Sequence, residues 1–191
     1  MQAEGNATIH TTQSEVAKLV SAIWKPDGMV VYTIIVLRHA GRYLLLERAR
    51  TKRVQPGRWT GMGGKVEPDE LGDLRASALR ELYEESGIVA AAVDRFTQRR
   101  VVLHARPGVP LTVLLYFTGT LRDFVSPPCP EGTLYWIAPE QWDALPLIDT
   151  ARPVLPLLLA DQERDPAGDE PLHLGVARFT PDNVFMGILW A

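Results

Sequence analysis

The sequence predicts a mixed α/β (α+β) fold in which strands dominate and two or three helices pack on them. Three observations carry that expectation. Runs of β-branched and aromatic residues of strand length recur from residue 29 to the C-terminus. One acidic stretch between them has apolar residues at helical spacing. The 15 glycines and 15 prolines lie as punctuation between apolar runs and form no tract or repeat.

Residues 1–28 are polar and small up to Ser14, then carry Val16, Leu19, Val20 and Ile23 at helical spacing, closed by Trp24-Lys25-Pro26-Asp27-Gly28. They read as an arm or added helix, followed by one domain over residues 29–191. Met29 to Leu37 is a strand, Arg38 to Arg42 a turn and Tyr43 to Glu47 the returning strand. Arg48, Arg50, Lys52, Arg53 and Arg58, interrupted by Pro56-Gly57, make an exposed basic loop. A helix follows, with Asp73 as its cap, Gly87 as its stop and Leu74, Ala78, Leu79 and Leu82 as the stripe that docks it on a sheet. Arg100 to His104, Leu111 to Leu121 and Thr133 to Ala138 are strands. Glu140 to Leu145 and Ala151 to Ala160 read as helices, the second strained by Pro153 and Pro156. Residues 161–170 read as a solvated loop, and 172–190 as a closing hairpin around Thr180-Pro181-Asp182-Asn183.

Composition narrows the function. A net charge of −3 supplies no field for a nucleic-acid backbone, so no polymeric nucleic acid is expected. Cys129 is the single cysteine, which excludes an internal disulfide and a cysteine-built metal site. No export signal or membrane-spanning run is present, so a cytoplasmic protein without a membrane partner is expected, as a monomer or homodimer.

The chemistry concentrates in Gly63-Gly64-Lys65-Val66-Glu67-Pro68-Asp69-Glu70 and, nine residues on, Arg80-Glu81-Leu82-Tyr83-Glu84-Glu85-Ser86-Gly87-Ile88. At about 100° per residue, Glu81, Glu84 and Glu85 share one helix face. Three anions that close call for a cation, and an all-oxygen ligand set favours Mg²⁺ or Mn²⁺ over zinc. The glycine pair lets backbone approach a ligand closely. An acidic metal face beside a basic loop implies a small phosphate-bearing substrate.

These residues resemble the signature of the Nudix hydrolases, with nine residues between Glu70 and Arg80 where the family usually has seven. Outside the motif, Tyr32 to Leu37, Gly57 to Lys65, Glu131 with Trp136, Pro156 to Leu159 and the final hairpin are similar to the MutT-type 8-oxo-dGTP diphosphatases. The resemblance implies an α/β/α sandwich with a mixed central sheet. It implies hydrolysis of a nucleoside triphosphate, 8-oxo-dGTP or another modified nucleotide, to monophosphate and pyrophosphate. ADP-ribose, dinucleoside polyphosphates and a non-catalytic nucleotide sensor are the alternatives. On this resemblance Glu84 and Glu85 are metal ligands, Glu81 a ligand or the base, Gly63 a carbonyl ligand, Arg80 the residue that orients the carboxylates, and Glu131 a ligand or base from across the site. Substrate contacts are expected from Thr33, Arg58, Thr60, Lys65 and Asp149. Thr60 stands where the oxidised-purine enzymes have Asn, and Thr150-Ala151 where they have two adjacent acids.

Overall fold

The computed structural model describes residues 28–106, 109–123 and 128–191. The helical pattern over residues 16–23 lies outside them.

Eight strands form one mixed sheet: β1 (Met29–His39), β2 (Arg42–Arg48), β3 (Trp59–Thr60), β4 (Val93–His104), β5 (Leu111–Leu121), β6 (Gly132–Ile137), β7 (His173–Phe179) and β8 (Phe185–Trp190). Their order is β3-β2-β1-β5-β4-β7-β8, with β6 also on β2. β1 runs parallel to β5 and β4 parallel to β7, and the other pairs are antiparallel. One helix covers each face, α1 (Leu74–Ser86) and α2 (Ala151–Arg164).

Strand alternation divides the core between the two helices. Val31, Ile35, Leu37, Leu115 and Phe117 meet Ala78 and Leu82 of α1. Val36, Leu114, Tyr116, Val102 and Ala177 meet Val154, Leu155 and Leu158 of α2. Trp59 and Trp142 are buried in this second core.

Three expectations are corrected. Residues 139–144 form a 3₁₀ turn in place of an α-helix, because Pro146 holds Leu145 extended at ψ 144°. β4 begins at Val93, seven residues before the strand read from the sequence, its polar start irregular at two places where the register with β5 shifts. The solvated loop at 161–170 is in part helix and in part buried. α2 continues to Arg164, past Pro156 on its exposed side, and Asp161, Gln162 and Asp165 are buried. Arginines rising from β4 draw these acids in, Arg100 to Asp161 and Arg99 to Asp165.

Candidate active site

Residues 62–66 lie along the first half of β1. Ile35 N–H donates to Met62 O (2.6 Å), Thr33 N–H to Gly64 O (2.9 Å) and Val66 N–H to Val31 O (2.9 Å). This approach demands glycine. Gly63 sits at φ +127°, where a Cβ would strike the Thr33 carbonyl, and a Cβ on Gly64 would strike the Glu81 carboxylate. Thr33 is 1% exposed, and its hydroxyl accepts from Gly64 N–H at 3.3 Å. It props the turn from beneath.

Helix α1 begins and ends as the sequence indicates, with Asp73 Oδ1 accepting from Ala76 N–H (2.9 Å) and Gly87 in the left-handed region at φ +68°. Its carboxylates divide. Glu85 turns inward, 7% exposed, and accepts from Gly63 N–H at 2.8 Å. Burial pushes its carboxyl up to about 7; the Gly63 hydrogen bond opposes this, and the charges of Glu131 and Glu81 add to it. Glu81 is also raised, chiefly by burial, against the pull of Arg80 Nη1 at 2.9 Å. Glu84 points outward and pairs with Arg80 at 2.8 Å.

Arg80 joins the motif together. Glu70 takes it in a fork, Nε to Oε1 at 2.5 Å and Nη2 to Oε2 at 2.8 Å, and also accepts from Glu67 N–H and Ser77 Oγ. Arg80 therefore holds the Glu70 carboxyl down to about 2. The two extra residues before Arg80 leave this clamp closed. The exposed turn at Leu71-Gly72, between Glu70 and the Asp73 cap, gives them room.

Glu131 enters from the segment before β6, close enough for its charge to act on Glu85. Lys52 Nζ binds it at 2.5 Å and Arg48 Nη2 lies 4.0 Å away. Thus Gly63, Gly64, Glu70, Arg80, Glu81, Glu85 and Glu131 come together. Among the described residues no three acidic, histidine or cysteine side chains converge into a ready metal-ligand set. Arg80 and Lys52 hold Glu84 and Glu131 instead.

The residues expected to touch substrate are dispersed. Lys65 is exposed, 3.7 Å from Glu67, and Thr60 is buried in β3 opposite Leu46. Arg58 Nη2 donates to Asp149 Oδ1 and to Leu147 O, both at 2.6 Å. Asp149 and Thr150 border a cavity of about 190 Å³ whose other walls include His104, Arg106, Phe179 and Phe185. Among the described residues His104 Nε2 and Arg106 Nε, both buried there, have no hydrogen-bond partner, and burial lowers the His104 ring to about 4, with help from the Arg106 charge. Nothing in the sequence pointed to these two. The parallel pairing of His104 with Ala177, 73 residues later, brings Phe179 to them.

A steric prediction follows from the glycine turn. Gly64→Ala displaces the Glu81 carboxylate, and turnover falls about 100-fold, the scale of an ångström's misplacement of a reacting group. Circular dichroism should show the fold retained, since the obstructed group is the end of a flexible side chain.

A family profile described as NUDIX domain matches residues 28–158. The chain is 33% identical over 146 residues to the CTP pyrophosphohydrolase of Escherichia coli K12, covering 73% of this chain and 98% of that protein. Among solved structures it is similar to a MutT protein of Bacillus halodurans (TM-score 0.61, 19% identity, 84% of this chain and 97% of that one). It is also similar to the E. coli ORF135 protein (TM-score 0.53, 30% identity, 73% of this chain and 94% of that one). Among the described residues no helix is long and apolar enough to cross a membrane.

Proposed function

The chain belongs to the NUDIX family and is a hydrolase of pyrophosphate bonds in nucleotides, and on that premise we propose that it cleaves a nucleoside triphosphate to the monophosphate and pyrophosphate. The observation that carries this reading is the pair Glu81 and Glu85 against the Gly63-Gly64 turn, both raised chiefly by burial, with the charge of Glu131 adding to the rise at Glu85.

Acids outnumber bases in that cluster, where Glu70, Glu81, Glu84, Glu85 and Glu131 face Arg80, Lys52 and Arg48. Its nearest guanidinium, Arg80, is already shared among Glu70, Glu81 and Glu84. A hard divalent cation, Mg²⁺ or Mn²⁺, suits such an oxygen-rich, anion-heavy site. Glu84, Glu85, Glu131 and the Gly63 carbonyl would hold it, with Glu81 as a further ligand or the base. Bound there, such a cation would lower the pKa of a water and neutralise phosphoryl charge.

The remaining work falls to the chain's own groups. The Glu70 fork holds Arg80 so that its third edge orients Glu81 and Glu84. Gly63 N–H fixes the Glu85 oxygen. Lys52 and Arg48 lie against Glu131 at the edge of the acidic cluster, and are the cationic groups that would meet the triphosphate.

The base is assigned to the cavity bordered by Asp149, Thr150 and His104. Thr60 and Thr150-Ala151 lack the amide and paired acids of the oxidised-purine enzymes. The relative at 33% identity is a CTP pyrophosphohydrolase, so a pyrimidine triphosphate leads, ahead of 8-oxo-dGTP.

Chromatography of products with Mg²⁺ tests this on CTP, dCTP, 8-oxo-dGTP, dGTP, ADP-ribose and a dinucleoside polyphosphate. Monophosphate and pyrophosphate should appear from a triphosphate and vanish in Glu84→Gln. Preferential cleavage of ADP-ribose or of the dinucleoside polyphosphate would move the substrate class. Binding without cleavage would make the chain a sensor.

A further inference from the structure

On the α2 side of the sheet, away from the acidic cluster, β1, β4, β5 and the end of α2 enclose a cavity of about 270 Å³. Arg38, Arg95, Arg99, Thr120, Gln162 and Glu163 line it. Strand alternation and two bulges put the arginines there. Arg38 lies two residues beyond Val36 of the α2 core, on the same side of β1, and pairs with Thr120. β4 gains a residue on β5 twice, between Asp94 and Thr97 and between Gln98 and Arg100. At the second bulge Arg99 and Arg100 both turn to the α2 side, where Asp165 and Asp161 meet them. At the first, Arg95 stands at φ +53°, in the left-handed region that L residues enter only at a cost.

The lining groups are short of partners. Arg99 is 6% exposed, and donates from Nε to Thr118 Oγ1 (3.1 Å) and from Nη1 to Asp165 Oδ2 (2.9 Å). Among the described residues its Nη2 makes no hydrogen bond, and the side chains of Arg38, Arg95 and Glu163 make no hydrogen bond or ion pair. Gln162 is 9% exposed, and its Nε2 reaches Gly119 O at 3.5 Å. Its Oε1 is buried in the cavity wall with no hydrogen-bond partner among the described residues. A buried acceptor left unmade is costly, so it points to a ligand that donates. Three guanidiniums call for an oxyanion, whereas Glu163 and Gln162 Oε1, both acceptors, call for hydroxyl or amino groups on the same molecule. The volume falls just below the range for drug-sized ligands, roughly 300–1,000 Å³, and suits a small one.

We propose that this cavity is a second ligand site, which takes a small phosphomonoester bearing hydroxyl groups, of the sugar-phosphate class. Arg38, Arg95 and the Nη2 edge of Arg99 hold the phosphate, and Gln162 Oε1 and Glu163 accept from the hydroxyls. The site does not depend on the nucleotide chemistry of the acidic cluster. Thr33, beneath the glycine turn, is five residues from Arg38 along β1, about 17 Å, and faces the other side of the sheet.

The test titrates ribose 5-phosphate into the metal-free full chain, followed by amide NMR and calorimetry. Shifts should concentrate at residues 94–99, 119–121 and 161–166. Arg38→Gln/Arg95→Gln, which breaks no bond among the described residues, should weaken binding about 100-fold, roughly tenfold for each charge-assisted contact. Arg48→Gln/Lys52→Gln should leave the affinity unchanged. Inorganic phosphate should bind about tenfold more weakly than ribose 5-phosphate, and Gln162→Met should narrow that gap. Shifts confined to residues 48–58 and 63–85, or full affinity in Arg38→Gln/Arg95→Gln, overturn the proposal. Equal affinity for the two probes in the parent chain overturns the ligand class in favour of a bare anion.

Discussion

Glu85→Gln should lower kcat by about 10²–10⁴-fold, the range for losing one positioned catalytic group, while the apoprotein becomes more stable at alkaline pH. The two effects share one cause. The Glu85 carboxyl titrates at about 7 in the folded chain against an ordinary value of 4.5, because it is buried near the charges of Glu131 and Glu81. A raised carboxyl favours the protonated native state. Its contribution is fully present below pH 4.5 and is lost as pH rises through about 7. By linkage the loss is about 3 kcal/mol, and a neutral glutamine does not suffer it. Melting curves at pH 5, 6, 7 and 8 with EDTA should slope downward for the parent chain and less so for the variant. Added Mg²⁺ should raise the parent's Tm more at pH 8 than at pH 5. Parallel profiles for the two proteins would remove Glu85 from the site.

Asp161→Ala should destabilise the fold by about 3–5 kcal/mol, the cost of stranding one half of a buried ion pair. Arg100 Nε donates to Asp161 Oδ2 at 2.6 Å and Nη2 to Oδ1 at 2.8 Å, with side chains 7% and 3% exposed. The same guanidinium lies 4.6 Å from the centre of the Trp190 ring, so the pair ties α2, β4 and β8 together. For a chain of this size the Tm falls by roughly 10 °C. Arg100→Met/Asp161→Leu, which removes both charges and keeps volume, should recover most of the loss. A drop below about 1 kcal/mol in Asp161→Ala, measured by urea unfolding, would show the pair to be water-exposed in solution.

The two sites of prediction differ in how far the sequence exposes them. At the acidic helix, Asp73, Gly87 and the Ala78/Leu82 stripe each announce a local backbone requirement, and the structure meets all three. Gly63-Gly64 is legible for the same reason, since only glycine tolerates the approach of Thr33 and Glu81. Asp161 and Asp165 are not. Their burial depends on arginines 61 and 66 residues earlier, and by local polarity alone DQERDPAGDE belongs in water. The start of β4 hides likewise, because Asp94, Arg95, Thr97, Gln98 and Arg99 make it polar and the charge of Arg99 is neutralised only by Asp165, 66 residues on. Lys52 was visible only as one charge in a basic loop, and its partner Glu131 is 79 residues away. Local conformational demands are written in adjacent residues, whereas long-range electrostatic pairings are settled by topology.

The loop between Glu70 and Asp73 has a use in engineering. Glu70 is locked onto Arg80 on one side and Asp73 caps α1 on the other, so both ends are anchored independently of what joins them. Leu71 is 47% exposed, and a side chain at Gly72 would meet nothing within 4 Å. Exposed tips with anchored ends are where chains accept foreign sequence. A short reporter peptide spliced between these two residues would sit one clamp away from the acidic face, placed to register substrate arriving without altering the groups that meet it.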